Sequence, residues 1–204
     1  MALSSYSLYF SISLLASISI GPSVILAASN GINFGRKKAL AGVCGHVSAI
    51  LILALMSASG LGLILMASDL AFTIVKYAGA GYLLYIGVAI WRSKGQWAFA
   101  DKSAQIPAKR ALFKQSLLLG LSNPKALVFF SALFPQFIQP TQAILPQFLL
   151  LAGTSLCNAF VFTCVYVAVA FRFRHYFLST IGQRWVGKTT GSIFVGFAAA
   201  LIAS

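Results

Sequence analysis

A chain of 204 residues that is 59% hydrophobic and 8% charged cannot coat a water-soluble globule, in which about a quarter of residues are charged, so the sequence is that of an integral membrane protein. The net charge of +13 comes from 15 Lys and Arg against two acids, Asp69 and Asp101. The basic residues fall mostly in short gaps between apolar runs and leave no soluble basic domain, which excludes nucleic-acid binding.

A spanning helix needs about 20 apolar residues. Six runs meet or approach that length: 6–29, 39–67, 70–91, 114–138, 143–170 and 190–203. The first has no Lys or Arg before it. Although Leu26-Ala27-Ala28 loosely resembles a cleavage site, the run therefore reads as a retained helix, not a signal peptide. Inside it lies Gly21-Pro22-Ser23, where a proline removes a helical hydrogen bond and breaks or kinks the helix. The second run holds His46, a candidate proton carrier because imidazole titrates near neutrality; the plainer alternative is an interfacial histidine. Ser68-Asp69, before the third run, has an N-cap pattern. The small residues Ala78-Gly79-Ala80-Gly81 predict a close helix contact, within the protomer or in a homodimer. Tyr82, Tyr85, Trp91 and Trp97 fit an interfacial belt.

Residues 92–113 form the longest gap, basic and without apolar periodicity, and read as a linker. The fourth run carries the second interruption, Ser122-Asn123-Pro124-Lys125, and closes on Gln136 and Gln139, candidates for an exit rim. The fifth carries Asn158. Cys44, Cys157 and Cys164 all lie in apolar runs, without C-x-x-C spacing, and read as small core residues. Before the sixth run, Gly182 to Thr189 spells G-x-x-x-x-G-K-T. A phosphate loop needs a strand before it and a carboxylate for magnesium; neither is in place, so the segment reads as basic anchoring. With no acid–base, nucleophile or metal constellation, no enzyme activity, cofactor or metal is expected.

Lys and Arg occupy the first, third and fifth gaps and are absent from the second and fourth. Basic loops stay cytoplasmic. The expected fold is therefore all-α: one transmembrane domain, residues 1–204, of six helices with both termini outside. Its halves, about 1–91 and 114–204, each hold three helices and so insert in opposite senses, the inverted-repeat condition.

Interrupted helices at matching places in two such halves point to a transport site. The candidate substrate-binding residues are Gly21, Pro22, Ser23, Asn123, Pro124, Lys125 and Asn158. Lys125 in the cavity would pair with a substrate carboxylate; the competing reading is that it snorkels to headgroups. The half-helix beginning near Pro124 adds its positive dipole end. Since no Asp or Glu falls inside a run, a small neutral amino acid or derivative fits better than a cationic one. The expected activity is gradient-driven, alternating-access export of such a solute; the alternative is a membrane scaffold or accessory subunit that moves nothing.

These motifs together resemble a known family. Gly21-Pro22, Gly35-Arg36, Lys76-Tyr77-Ala78-Gly79-Ala80-Gly81, Asn123-Pro124-Lys125-Ala126, Phe134-Pro135-Gln136-Phe137 and Gly191-Ser192-Ile193-Phe194 are similar to the lysine-exporter (LysE) superfamily, in its homoserine/threonine-exporter (RhtB) branch. The resemblance covers nearly the whole chain and implies a bacterial inner-membrane amino-acid exporter of six helices, driven by the proton gradient. Two departures stand out. Ile20 replaces the first proline of the P-G-P that relatives carry, and Asn158 falls where many relatives carry an aspartate.

Overall fold

The computed structural model describes residues 3–59, 107–139 and 141–175, with 73, 77, 80–85, 87, 88, 91, 188, 189, 191–196, 198, 199 and 202. Asp69, Trp97, residues 92–106 of the linker and Gly182 to Gly187 lie outside the described residues. Among the described residues all regular structure is helical.

The first apolar run is two helices. α1, Leu3–Ile18, ends before Gly21, whose extended backbone (φ −140, ψ 178) starts α2, Pro22–Phe34, with the proline at its first position. Proline fits there because the first amides of a helix have no intrahelical acceptor. The two axes meet at 49°. Gly35, at φ 77, then turns the chain directly into α3, Arg36–Ala58. That positive φ is the reason for a glycine here.

The fourth run repeats the design. α4, Lys109–Leu121, gives way at Ser122-Asn123 to α5, Pro124–Val128, again with proline at the first position, and the segment Pro124–Phe137 as a whole is bent from α4 by 53°. The chain continues through a π-helical turn, Phe129–Leu133, and a 3-10 turn, Phe134–Phe137. Such π-turns recur at functional sites. α6, Ile144–Arg172, is unbroken. α3, with 23 residues, and α6, with 29, are each long and apolar enough to cross a membrane; the two bent pairs raise the number to four if each is one span.

Helix directions follow from the contacts. Tyr9 meets Leu151 and Ser155, and Ile18 meets Tyr166, so α1 and α6 run parallel. Gly42 packs on Leu112 and Ser116 and Gly120 on His46 and Ala49, so α3 and α4 run parallel. Arg36 and Arg174 stack on the same Phe171 ring, 4.9 and 4.2 Å from its centroid. The first and fifth basic gaps therefore share one end of the molecule.

The largest apolar cluster gathers Tyr9, Leu53, Phe129, Phe130, Phe134 and Leu151. Tyr9 stands at its centre, its ring 5.1 to 6.0 Å from those of Phe129, Phe134 and Phe137. A second cluster joins Leu26 and Leu119 to Ala80, Leu83 and Phe194 of the third and sixth runs. Large side chains such as Leu15, Leu55, Leu149 and Val161 point outward, as lipid-facing residues do.

One expectation needs correction. Cys44 and Cys157 are exposed and face outward, not core residues as expected, whereas Cys164 is half-buried and packs against the cluster of Ala27, Ala39, Val43 and Val167. An apolar thiol suits a lipid-facing position as well as a core one, so hydropathy could not separate the two. Within Ala78-Gly79-Ala80-Gly81, where a close contact was expected, Ala80 is wholly buried in the second cluster. A Cβ on Gly81 would meet nothing within 4 Å, whereas one on Gly87 would come within 3.1 Å of the Gly191 carbonyl oxygen. Ala78 and Gly79 lie outside the described residues.

Candidate functional site at the two helix breaks

A helix that stops inside a membrane leaves backbone groups that water cannot reach. The two breaks answer that need for each other. Asn123 Nδ2 donates to Ser23 Oγ across the gap at 2.9 Å, while Asn123 Oδ1 accepts from the Lys125 amide at 3.1 Å and so caps α5. Lys125 Nζ turns to the open end of α1, donating to Ala16 O at 2.7 Å, Ser19 O at 2.9 Å and Ser19 Oγ at 3.1 Å. An ammonium has three donors and all three are engaged. The cation sits where α1 presents its negative dipole end. It is held by the end of α1. Tyr166 donates to the neighbouring Ile18 carbonyl.

Between the breaks is a cavity of about 60 Å³. Gly21, Ser23 and Val24 line it from the start of α2, and Asn123, Lys125, Phe129 and Phe130 from the second break. His46 enters from α3, 8% exposed, with no partner for Nδ1. At roughly 10–15 Å³ per water, the space holds a handful of water-sized groups. Among the described residues no cluster of His, Cys, Asp and Glu could hold a metal.

Of the residues singled out from sequence, Gly21, Ser23, Asn123, Lys125 and His46 line the cavity. Pro22 and Pro124 shape it by starting α2 and α5. Asn158 is not among the lining residues; its Nδ2 donates to Ser13 Oγ at 3.2 Å, one step behind the wall. Gln139, assigned to a rim, is held by Gln147, whose Oε1 accepts from its amide at 2.9 Å. Sequence reading missed Ser13, Ser17, Ser155 and Thr163 in the wall. A signal existed: Ser155, Ala159 and Thr163 recur every four residues on α6, a small and weakly polar stripe along one face of the helix. Ser13 and Ser155 also meet, at 3.3 Å, and Tyr9 O–H lies 2.6 Å from Ser155 Oγ.

The cross-break bond and the cap can be weighed separately. Ser23→Ala removes only the former and is expected to lower stability by about 0.5–1 kcal/mol. Asn123→Ala removes both and should cost about 1–2 kcal/mol. Melting temperatures in detergent micelles measure this; equal losses in the two variants would show that the cap contributes nothing.

The family model for the LysE type translocator matches residues 14–204. The chain belongs to the LysE-type translocator family. A homoserine/homoserine lactone efflux protein of Salmonella typhimurium is 35% identical over 96% of this chain and 94% of its own length. A protein of the same name from Salmonella typhi is 34% identical over the same shares, 96% and 94%. An uncharacterized membrane protein of Vibrio cholerae is 31% identical over 92% of this chain and 91% of its own. No solved structure matches. The LysE-type family is one of membrane translocators, not of enzymes, so the chain is a bacterial membrane protein of a transport family whose substrate is a small molecule.

Proposed function

We propose that this translocator exports a small neutral amino acid, with homoserine the leading candidate, from the cytoplasm of a bacterial cell. The observation that carries the reading is the cavity between two facing helix breaks, lined by polar residues from both breaks and by Phe129 and Phe130. Lys125 and the amide end of α2 attract a carboxylate. Ser23, Asn123, Ser155 and Thr163 offer hydroxyl and amide partners for a polar side chain. No acid is among the lining residues, so a cationic side chain would find no counter-charge. A zwitterion also avoids the electrical cost of about 2.3 kcal/mol per 100 mV for moving a net charge.

In this reading residues 1–204 form one domain of six spans, with halves about 1–91 and 114–204 in inverted orientation and both termini outside. The shared end of the basic gaps, marked by Arg36 and Arg174 on Phe171, supports placing that end in the cytoplasm. Homoserine has eight non-hydrogen atoms, more than the cavity holds at its present size of about 60 Å³, so loading requires the breaks to part. Rocking of one half on the other supplies that opening. His46, at the cavity wall, is the candidate for coupling the movement to protons.

The test is efflux from proteoliposomes loaded with a panel of labelled amino acids, with and without a pH gradient. Homoserine should leave, faster when the outside is acidic, and lysine should not. Folded protein that releases none of the panel would point instead to a scaffold or accessory subunit.

A further inference from the structure

We propose that Ser13 of α1 and Ser155 of α6 form a subsite for the side-chain hydroxyl of the exported amino acid, with Tyr9 and Asn158 as the positioning residues that fix which serine donates and which accepts. The inference rests on the exporter reading above and deepens it. It assigns the groups that tell a hydroxylated amino acid from an apolar one of the same shape.

The first observation is a chain of hydrogen bonds with a defined direction. Tyr9 is wholly buried, and its hydroxyl lies 3.0 Å from the Leu151 carbonyl oxygen. A carbonyl oxygen cannot donate, so the single phenolic proton points there. Ser155 Oγ, 2.6 Å from the same phenolic oxygen, is then the donor to it. The Ser155 proton is thereby committed, and only its lone pairs are left to offer. Ser13 is the opposite case. Its Oγ accepts from Asn158 Nδ2 at 3.2 Å and keeps its own proton to give. That proton has Ser155 Oγ as its neighbour at 3.3 Å. The distance is long for a bond between hydroxyls, which centres on about 2.7–2.8 Å.

The second observation is where the pair stands. Both serines line the cavity, and both are buried, Ser13 at 2% and Ser155 at 4% exposure. Neither Tyr9 nor Asn158 is among the lining residues, so each acts through the serine it holds. A hydroxyl is donor and acceptor at once. A third oxygen beside the pair accepts from Ser13 and donates to Ser155, replacing one long bond by two of ordinary length. A methyl group in that place gains nothing from either serine. The subsite also suits the rest of the cavity. Tyr9, Ser13 and Ala16 share one face of α1, and the Ala16 carbonyl is one of the groups that hold the Lys125 ammonium. A carboxylate drawn to Lys125 and a side chain turned to Ser13 use two ends of the same wall.

The experiment uses the full chain in proteoliposomes loaded with labelled L-homoserine, with unlabelled L-homoserine or L-norvaline outside. Norvaline carries a methyl where homoserine carries its hydroxyl. The parent should need about ten-fold more norvaline than homoserine for half-maximal counterflow. Ser155→Ala should bring that ratio to within about two-fold of one, by weakening homoserine and leaving norvaline unchanged. Tyr9→Phe, which frees the Ser155 proton to point elsewhere, should lower it at least about three-fold. A ratio that survives either substitution overturns the proposal. So does an equal loss of both amino acids, the result of a merely structural role. Ser155→Ala decides the matter alone if Tyr9→Phe does not fold. Counterflow without discrimination in the parent overturns the subsite only, whereas a folded parent with no homoserine counterflow overturns the exporter reading itself.

Discussion

Lys125→Met is expected to lower homoserine efflux at limiting substrate by about 10- to 100-fold while the protein still inserts and folds. The magnitude is that of one charge-assisted hydrogen bond, about 1.5–3 kcal/mol, at 1.4 kcal/mol per ten-fold. The geometry adds a condition. All three ammonium protons are engaged by Ala16 and Ser19, so a carboxylate must compete with the end of α1 for them. Binding and release of α1 are therefore one event, and the rate of opening should fall together with affinity. Homoserine lactone separates the two effects, because its ester has no carboxylate to offer. Its efflux should be far less sensitive to Lys125→Met than that of homoserine. Lys125→Arg keeps the charge but replaces a point donor by a planar fork, and should restore only part of the loss. Unchanged efflux kinetics in Lys125→Met would remove Lys125 from the site.

Gly45→Ala should be the most damaging single methyl among the described glycines. Its Cβ would run into the carbonyl oxygen and Cα of Phe113 on α4, backbone that cannot rotate away. Alanine favours a helix over glycine by about 1 kcal/mol. Overpacking costs about 1–3 kcal/mol and here falls at the upper end. The net loss is about 2 kcal/mol, or about 4–8 °C in melting temperature. Gly153→Ala, where a Cβ meets nothing within 4 Å, is the control and should be neutral or slightly stabilising. Thermal unfolding in detergent distinguishes the pair; equal behaviour would mean that α3 and α4 are not in backbone contact.

The broken runs were legible because proline and glycine act locally. Pro22 and Pro124 stop a helix wherever they stand, and each is the first residue of a new helix. The polar members of the site were legible because an amide or ammonium deep in an apolar run is costly and stands out. Ser155 and Thr163 did not stand out, since a hydroxyl in a membrane helix can bond its own backbone at little cost. Close glycine contacts are harder to rank from sequence, because small residues permit approach on any face. Gly81 is exposed, while Gly42, Gly45 and Gly120 carry the contact between α3 and α4.

Amino-acid order alone determined that the chain belongs in a bilayer, where its apolar runs lie, which gaps are basic and where two helices must stop. These are sums of transfer free energy and backbone sterics, and neither depends on a neighbouring helix. Only the tertiary structure decided that the two stops face one another, that Lys125 closes the end of α1, and that Tyr9 and Asn158 meet the serines of the cavity wall. Lipid is as apolar as a helix interior, so α3 can bury Ala49 and Leu53 and expose Leu51 and Leu55 with no change in hydropathy. Which face meets protein is settled by fit between helices, and that fit exists only once they are side by side.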